Sequence, residues 1–104
     1  MAYERGRLTL LSNASATGTA KEWPGGAGVF TVPVGTISGA TVKLQYQSDD
    51  TTWTDVDKSG DTYVTFTATG GAGGQFFLPP CNIRASISGG PPSGIYAYAQ
   101  TLEG

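Results

Sequence analysis

The chain has 104 residues, enough for one domain whose folding buries roughly 60–70% of the surface that its unfolded form exposes. Six Lys+Arg against eight Asp+Glu leave a net charge of -2, with only 13% of residues charged. Such a balance gives no basic footprint for nucleic acid or for an acidic membrane surface. No run approaches the ~20 apolar residues of a membrane-spanning helix.

The first residues, Met1-Ala2-Tyr3-Glu4-Arg5-Gly6-Arg7, lead into a mixed strand instead of an apolar signal core, so secretion is not expected. Leu8, Leu10 and Leu11 mark that first strand. Residues 1–20, rich in Ser, Thr, Ala and Gly, are set apart as an N-terminal strand or arm, and 21–104 as the sandwich domain. Val29-Phe30-Thr31-Val32-Pro33-Val34 places Phe30, Val32 and Val34 on one face, and Pro33, lacking an N–H, predicts a sheet edge or a strand end. In Thr41–Ser48, Val42, Leu44 and Tyr46 alternate with Lys43, Gln45 and Gln47, the pattern of a half-buried strand. Trp53–Val56 forms a short strand, and Asp49-Asp50-Thr51-Thr52 is its hairpin loop. Lys58-Ser59-Gly60-Asp61 leads to Tyr63–Ala68, with Val64, Phe66 and Ala68 inward. Gln75–Leu78 precedes Pro79-Pro80. Asn82–Ser88 turns Ile83, Ala85 and Ile87 inward. Gly94–Leu102 has small residues on one face and tyrosines on the other. About eight strands with Gly-, Pro- and Asp-rich connections, and no helical periodicity, predict an all-β antiparallel β-sandwich, with a jelly roll as one form it could take.

Candidate chemistry is sparse. The chain has no histidine, which removes the commonest general base and metal ligand, and with it every Ser–His or Cys–His nucleophile pair. The single Cys81 cannot form an internal disulfide, so the chain belongs in a reducing compartment or is stable without cross-links. Next to two prolines, Cys81 reads as a small residue at a sheet corner. Asp55, Asp57 and Asp61, with Gly60, resemble the opening of a calcium loop, but Phe66 stands where the bidentate Glu would fall and Lys58 opposes the ion. A polar hairpin turn is the simpler reading, and no cofactor is expected. The glycine runs lack the G-x-x-x-x-G-K-[ST] pattern and connect strands. The absence of these groups points away from an enzyme and towards binding or assembly. The remaining candidates are aromatic: Trp23 in a loop-like stretch, Trp53 after the hairpin loop, and Tyr96 and Tyr98 on the face opposite Ile95 and Ala97. These rings could stack on sugars or bury in a protein interface. Alternatively, Trp53 caps the core and the tyrosines cover a second sheet face.

The run Val42-Lys43-Leu44-Gln45-Tyr46-Gln47-Ser48-Asp49-Asp50-Thr51-Thr52-Trp53-Thr54-Asp55-Val56 resembles a strand–hairpin–strand motif of small tailed-bacteriophage structural proteins. Phe77-Leu78-Pro79-Pro80-Cys81-Asn82-Ile83-Arg84-Ala85, followed by Gly89-Gly90-Pro91-Pro92-Ser93-Gly94-Ile95-Tyr96-Ala97, is also similar to them, so the resemblance spans about the last two-thirds of the chain. It implies a virion protein of the capsid decoration (cement) type, made in the host cytoplasm, bound to the major capsid protein and assembled as a homotrimer. It carries over no catalytic residue. Hairpins of this kind also occur in sugar-binding sandwiches and discoidin-like modules, so a carbohydrate-binding or host-recognition module of a head fibre or tail is the alternative.

Overall fold

A computed structural model of the chain describes residues 7–47, 52–58, 60, 62–71 and 73–101. Among these residues, nine strands and no helix are found: β1 (Arg7–Ala14), β2 (Lys21–Trp23), β3 (Gly26–Thr36), β4 (Ala40–Gln47), β5 (Trp53–Asp55), β6 (Thr65–Phe66), β7 (Gly74–Leu78), β8 (Cys81–Gly89) and β9 (Ser93–Thr101). One sheet has the order β1-β9-β3-β7; the other has β2-β8-β4-β5, with β6 also on β4.

The pairing follows one rule. β1 pairs with β9, β2 with β8, β3 with β7, and β4 with β5 and β6, all antiparallel. These are the rungs of a single long hairpin folded back near β4. Rolling that hairpin brings β3 beside β9 and β4 beside β8, and deals successive rungs to alternate sheets. The result is a jelly-roll sandwich, which buries an apolar layer between two sheets without needing helices.

The buried layer is what the alternation predicts over most of its length. Phe30, Val42, Leu44, Ile83, Ala85, Ile95, Ala97 and Ala99 are fully buried. Three features depart from simple alternation. In β1, Thr9 faces Tyr98 while Leu11 faces Ala97, so Leu10 is an extra residue and both leucines are buried. In β3, Thr31 faces Tyr98 while Val34 faces Tyr96, which inserts one residue around Pro33 and turns Val34 outward to 55% exposure. Val34 therefore does not share the inner face with Phe30 and Val32. Gly35 completes this bulge at φ 139°, and a Cβ there would meet the Ile95 Cα at 2.7 Å. β3 is an inner strand, but β7 pairs with it only from Gly26 to Phe30, so Pro33 lies where that neighbour has ended.

The third departure is the far edge of β4, which is built from two pieces. β5 covers Gln45–Gln47, β6 covers Val42–Lys43, and between them the Leu44 carbonyl accepts from Val56 N while Leu44 N donates to the Val64 carbonyl, each at 3.0 Å. β5 and β6 are thus not a hairpin pair with each other. Ala68, expected inward, is exposed because the chain leaves β4 after Phe66.

Trp23 corrects the reading of a loop-exposed ring. It ends β2 opposite Cys81 and is 1% exposed, packed on Phe76 with ring centroids 4.9 Å apart. Gly28 makes room for it: a Cβ on Gly28 would sit 2.5 Å from the indole Cη2. Residues 7–20 are also integrated. After β1 the chain crosses to the other sheet, where Gly18 N donates to the Ala85 carbonyl at 3.1 Å and Thr17 Oγ1 accepts from Ile87 N at 3.0 Å. Within the N-terminal strand or arm, residues 7–20 form a strand and a crossing tied to the other sheet; residues 1–6 lie outside the described residues. Trp23→Ala is expected to cost about 3–5 kcal/mol of unfolding free energy and Gly28→Ala about 1–3 kcal/mol, as measured by urea denaturation followed by fluorescence.

Candidate functional site

The inner faces of the sheets are occupied by the core, so any site lies on an outer face, an edge or a loop. The two outer faces differ in chemistry. In the sheet containing β2, β8, β4, β5 and β6, the strands carry Lys21, Glu22, Lys43, Asp55 and Arg84. In the β1-β9-β3-β7 sheet, Arg7 is the one charged residue in all four strands.

On the charged sheet, outward residues are tied across strands. Asn82 Nδ2 donates to Gln47 Oε1 at 2.9 Å, and Arg84 Nε donates to Gln45 Oε1 at 2.9 Å. Gln45 Nε2 then donates to Asp55 Oδ1 at 2.8 Å, and Lys43 Nζ donates to the other carboxylate oxygen at 3.2 Å. Trp53 pairs in register with Gln47, which places it on this same outer face and not over the core. The Arg84 guanidinium lies 4.4 Å from the Trp53 ring centroid, a cation–π contact that orients the half-buried indole. The hydrogen bond from the Gln45 amide holds the Asp55 carboxyl below the usual aspartate range; burial opposes it, and the Lys43 ammonium adds to the lowering.

Asp57 does different work. Its Oδ2 accepts from Val64 N at 2.9 Å and from Thr65 Oγ1 at 2.7 Å, tying the residues after β5 to the start of β6. Gly60 supplies the left-handed turn at φ 91°. Asp55 and Asp57 are thus both engaged by protein donors; Asp49, Asp50 and Asp61 lie outside the described residues. Cys81 is partly buried beside Pro80, and burial pushes its thiol pKa up, away from thiolate character at neutral pH.

The other sheet is the reverse case. Outward of Ile95, Ala97 and Ala99 stand Tyr96 and Tyr98, both half-buried, as the alternation of the last strand predicts. Tyr98 lies between Thr9 and Thr31, and Tyr96 beside Val34. Further across, Ala27 faces Phe77, which is 76% exposed, and Val29 faces Gln75. Phe77 and Val34 escaped the sequence reading. Phe77 follows another phenylalanine, and alternation alone does not say which of Phe76 and Phe77 turns in; Val34 depends on a bulge.

Of the four aromatic candidates, the structure brings Tyr96 and Tyr98 together on the charge-poor sheet, puts Trp53 on the opposite face, and buries Trp23. The fold and its faces define an all-β jelly-roll sandwich with one charge-bearing and one charge-poor sheet. No protein-family model, curated protein or solved structure matches the chain.

Two outcomes follow. Asp57→Ala should lower stability by about 1–3 kcal/mol by leaving a partly buried N–H without its acceptor, measured by thermal denaturation. Because the folded state holds Asp55 more acidic than the unfolded chain does, its contribution is full above the unfolded pKa and lost as pH falls through the folded one. The melting temperature of Asp55→Asn should therefore fall less steeply than that of the parent chain as pH drops below the ordinary aspartate range.

Proposed function

We propose that this chain is a structural virion protein that binds the outside of a bacteriophage capsid and reinforces the shell, docking through the outer face of the β1-β9-β3-β7 sheet. The observation that carries this reading is the charge asymmetry: Phe77 at 76% exposure and Val34 at 55% stand with Tyr96 and Tyr98 on a sheet whose strands contain one charged residue. Protein interfaces are depleted of charge and enriched in aromatic residues at their centres, because charges are costly to desolvate and rigid rings bury much area for little entropy.

Size and edges support docking by a face. The molecule measures 34 × 33 × 23 Å, so a broad face can supply the ~800 Å² per partner of a standard interface. The outer strands are poor templates for strand addition: β1 is bulged, β2 has 3 residues, β7 has 5, and the β4 edge is split between β5 and β6. The partner is the major capsid protein and the assembly a homotrimer, both implied by the resemblance of the Val42–Val56 and Phe77–Ala97 runs. The location is the virion surface after synthesis in the host cytoplasm. Jelly rolls recur in capsid components, and no catalytic step is assigned.

The test is co-sedimentation with capsids that lack this chain. Phe77→Asp with Val34→Asp should weaken binding more than ~100-fold, on the scale of two interface anchors. Because both side chains are exposed, the melting temperature should change little. Trp53→Ala, on the opposite face, should leave binding unchanged. Full binding by the double variant would refute docking through this face. Sedimentation equilibrium of the isolated chain reads the oligomer, with the trimer mass expected.

A further inference from the structure

Beside β5 lies an open depression bordered by Tyr46, Trp53, Lys43, Asp55, Asp57 and Lys58. Trp53 borders it but Arg84, which stacks on the same indole, does not, so the guanidinium steadies the ring from outside the depression. Asp55 is held by Gln45 and Lys43, and Asp57 by Val64 N and Thr65. The Trp53 indole and the two carboxylates therefore stand in fixed positions. Prior ordering of this kind lowers the entropy that a ligand must overcome.

The chemistry of the rim narrows the ligand. Among the described residues of the rim, two cations, Lys43 and Lys58, offset two anions, Asp55 and Asp57, so these side chains do not favour a phosphate, a nucleotide or a cationic group. An indole offers a flat apolar plate, while carboxylates and ammonium groups at its border accept from and donate to hydroxyls. A ligand with one flat C–H face and a ring of hydroxyls uses both features. We propose that this depression is a binding site for a neutral saccharide, with a pyranose stacked on Trp53 and its hydroxyls bonded at the Asp55–Lys43 pair. It lies on the sheet face opposite Phe77 and Tyr98, so it stands whether or not the shell-docking reading holds.

The test is a titration of the ¹⁵N-labelled chain followed by amide and indole NMR shifts, with maltohexaose, cellohexaose and hexa-N-acetylchitohexaose as probes. Trp23 is buried at 1% exposure, which leaves the Trp53 indole N–H as the specific reporter. At least one saccharide should give saturable shifts at the Trp53 indole and at Asp55, with a Kd on the order of 0.1–5 mM, the range of a shallow site with few contacts. Trp53→Ala should weaken binding at least ~10-fold with the amide spectrum still dispersed. Asp55→Asn, a second variant that keeps the ring, should weaken it ~3-fold or more. The proposal is overturned if none of the three saccharides gives saturable shifts, or if their shifts survive both substitutions. It is equally overturned if inorganic phosphate or a proline-rich decapeptide reproduces the shifts where the saccharides do not.

Discussion

The pairing of each early strand with a late one, rung by rung, is the constraint from which the rest of the molecule follows. Because β1 meets β9, β2 meets β8 and β3 meets β7, successive rungs of one hairpin alternate between two sheets, and each sheet turns one apolar face to the other. The single cysteine provides no internal cross-link, so closure of that layer rests on packing. Trp23 is its largest fully buried side chain, seated on Phe76 and against the bare Cα of Gly28. A small sandwich has little stability in reserve, which is why one added methyl at Gly28 matters.

Rolling also decides where function can reside. With both inner faces consumed by the core, the two outer faces are left to differ, and they do. One carries two cross-strand hydrogen-bonded sets, Asn82–Gln47 and Arg84–Gln45–Asp55–Lys43, around an oriented Trp53. The other carries tyrosines, Val34 and Phe77, which are cheap to desolvate. Polar cross-strand bonds mark one side and exposed apolar and aromatic side chains the other, so the sandwich has two chemically distinct sides.

Much of this was legible in the sequence, and the exceptions share a cause. Alternation identified β4, β8 and β9 and their inward residues, because a strand with one wet face writes its period directly into the residues. The all-β class and the outward Tyr96 and Tyr98 came from the same signal. The two bulges erase it: an inserted residue changes parity, so Leu11 turns in and Val34 turns out with no local sign beyond Pro33 and Gly35. Trp23 beside Pro24 looked like a loop because β2 has only 3 residues and exists through its pairing with β8, some sixty positions away. Sheet membership is a long-range property of the same kind. The charge contrast between faces could be seen only once strands were assigned to sheets.

The place of β9 has a consequence for how the protein comes into being. β9 lies between β1 and β3 and supplies both tyrosines of the charge-poor face, yet it follows all the other described strands in the chain. Until it inserts, β1 has no partner in its sheet and the Tyr96–Tyr98 surface does not exist. Contacts of such long sequence separation form slowly, so a nascent chain exposes its core edges but not its finished face. The Tyr96–Tyr98 surface is thereby a property of the completed fold, and a chain truncated before Ser93 would lose the partner of β1 together with the core residues Ile95, Ala97 and Ala99.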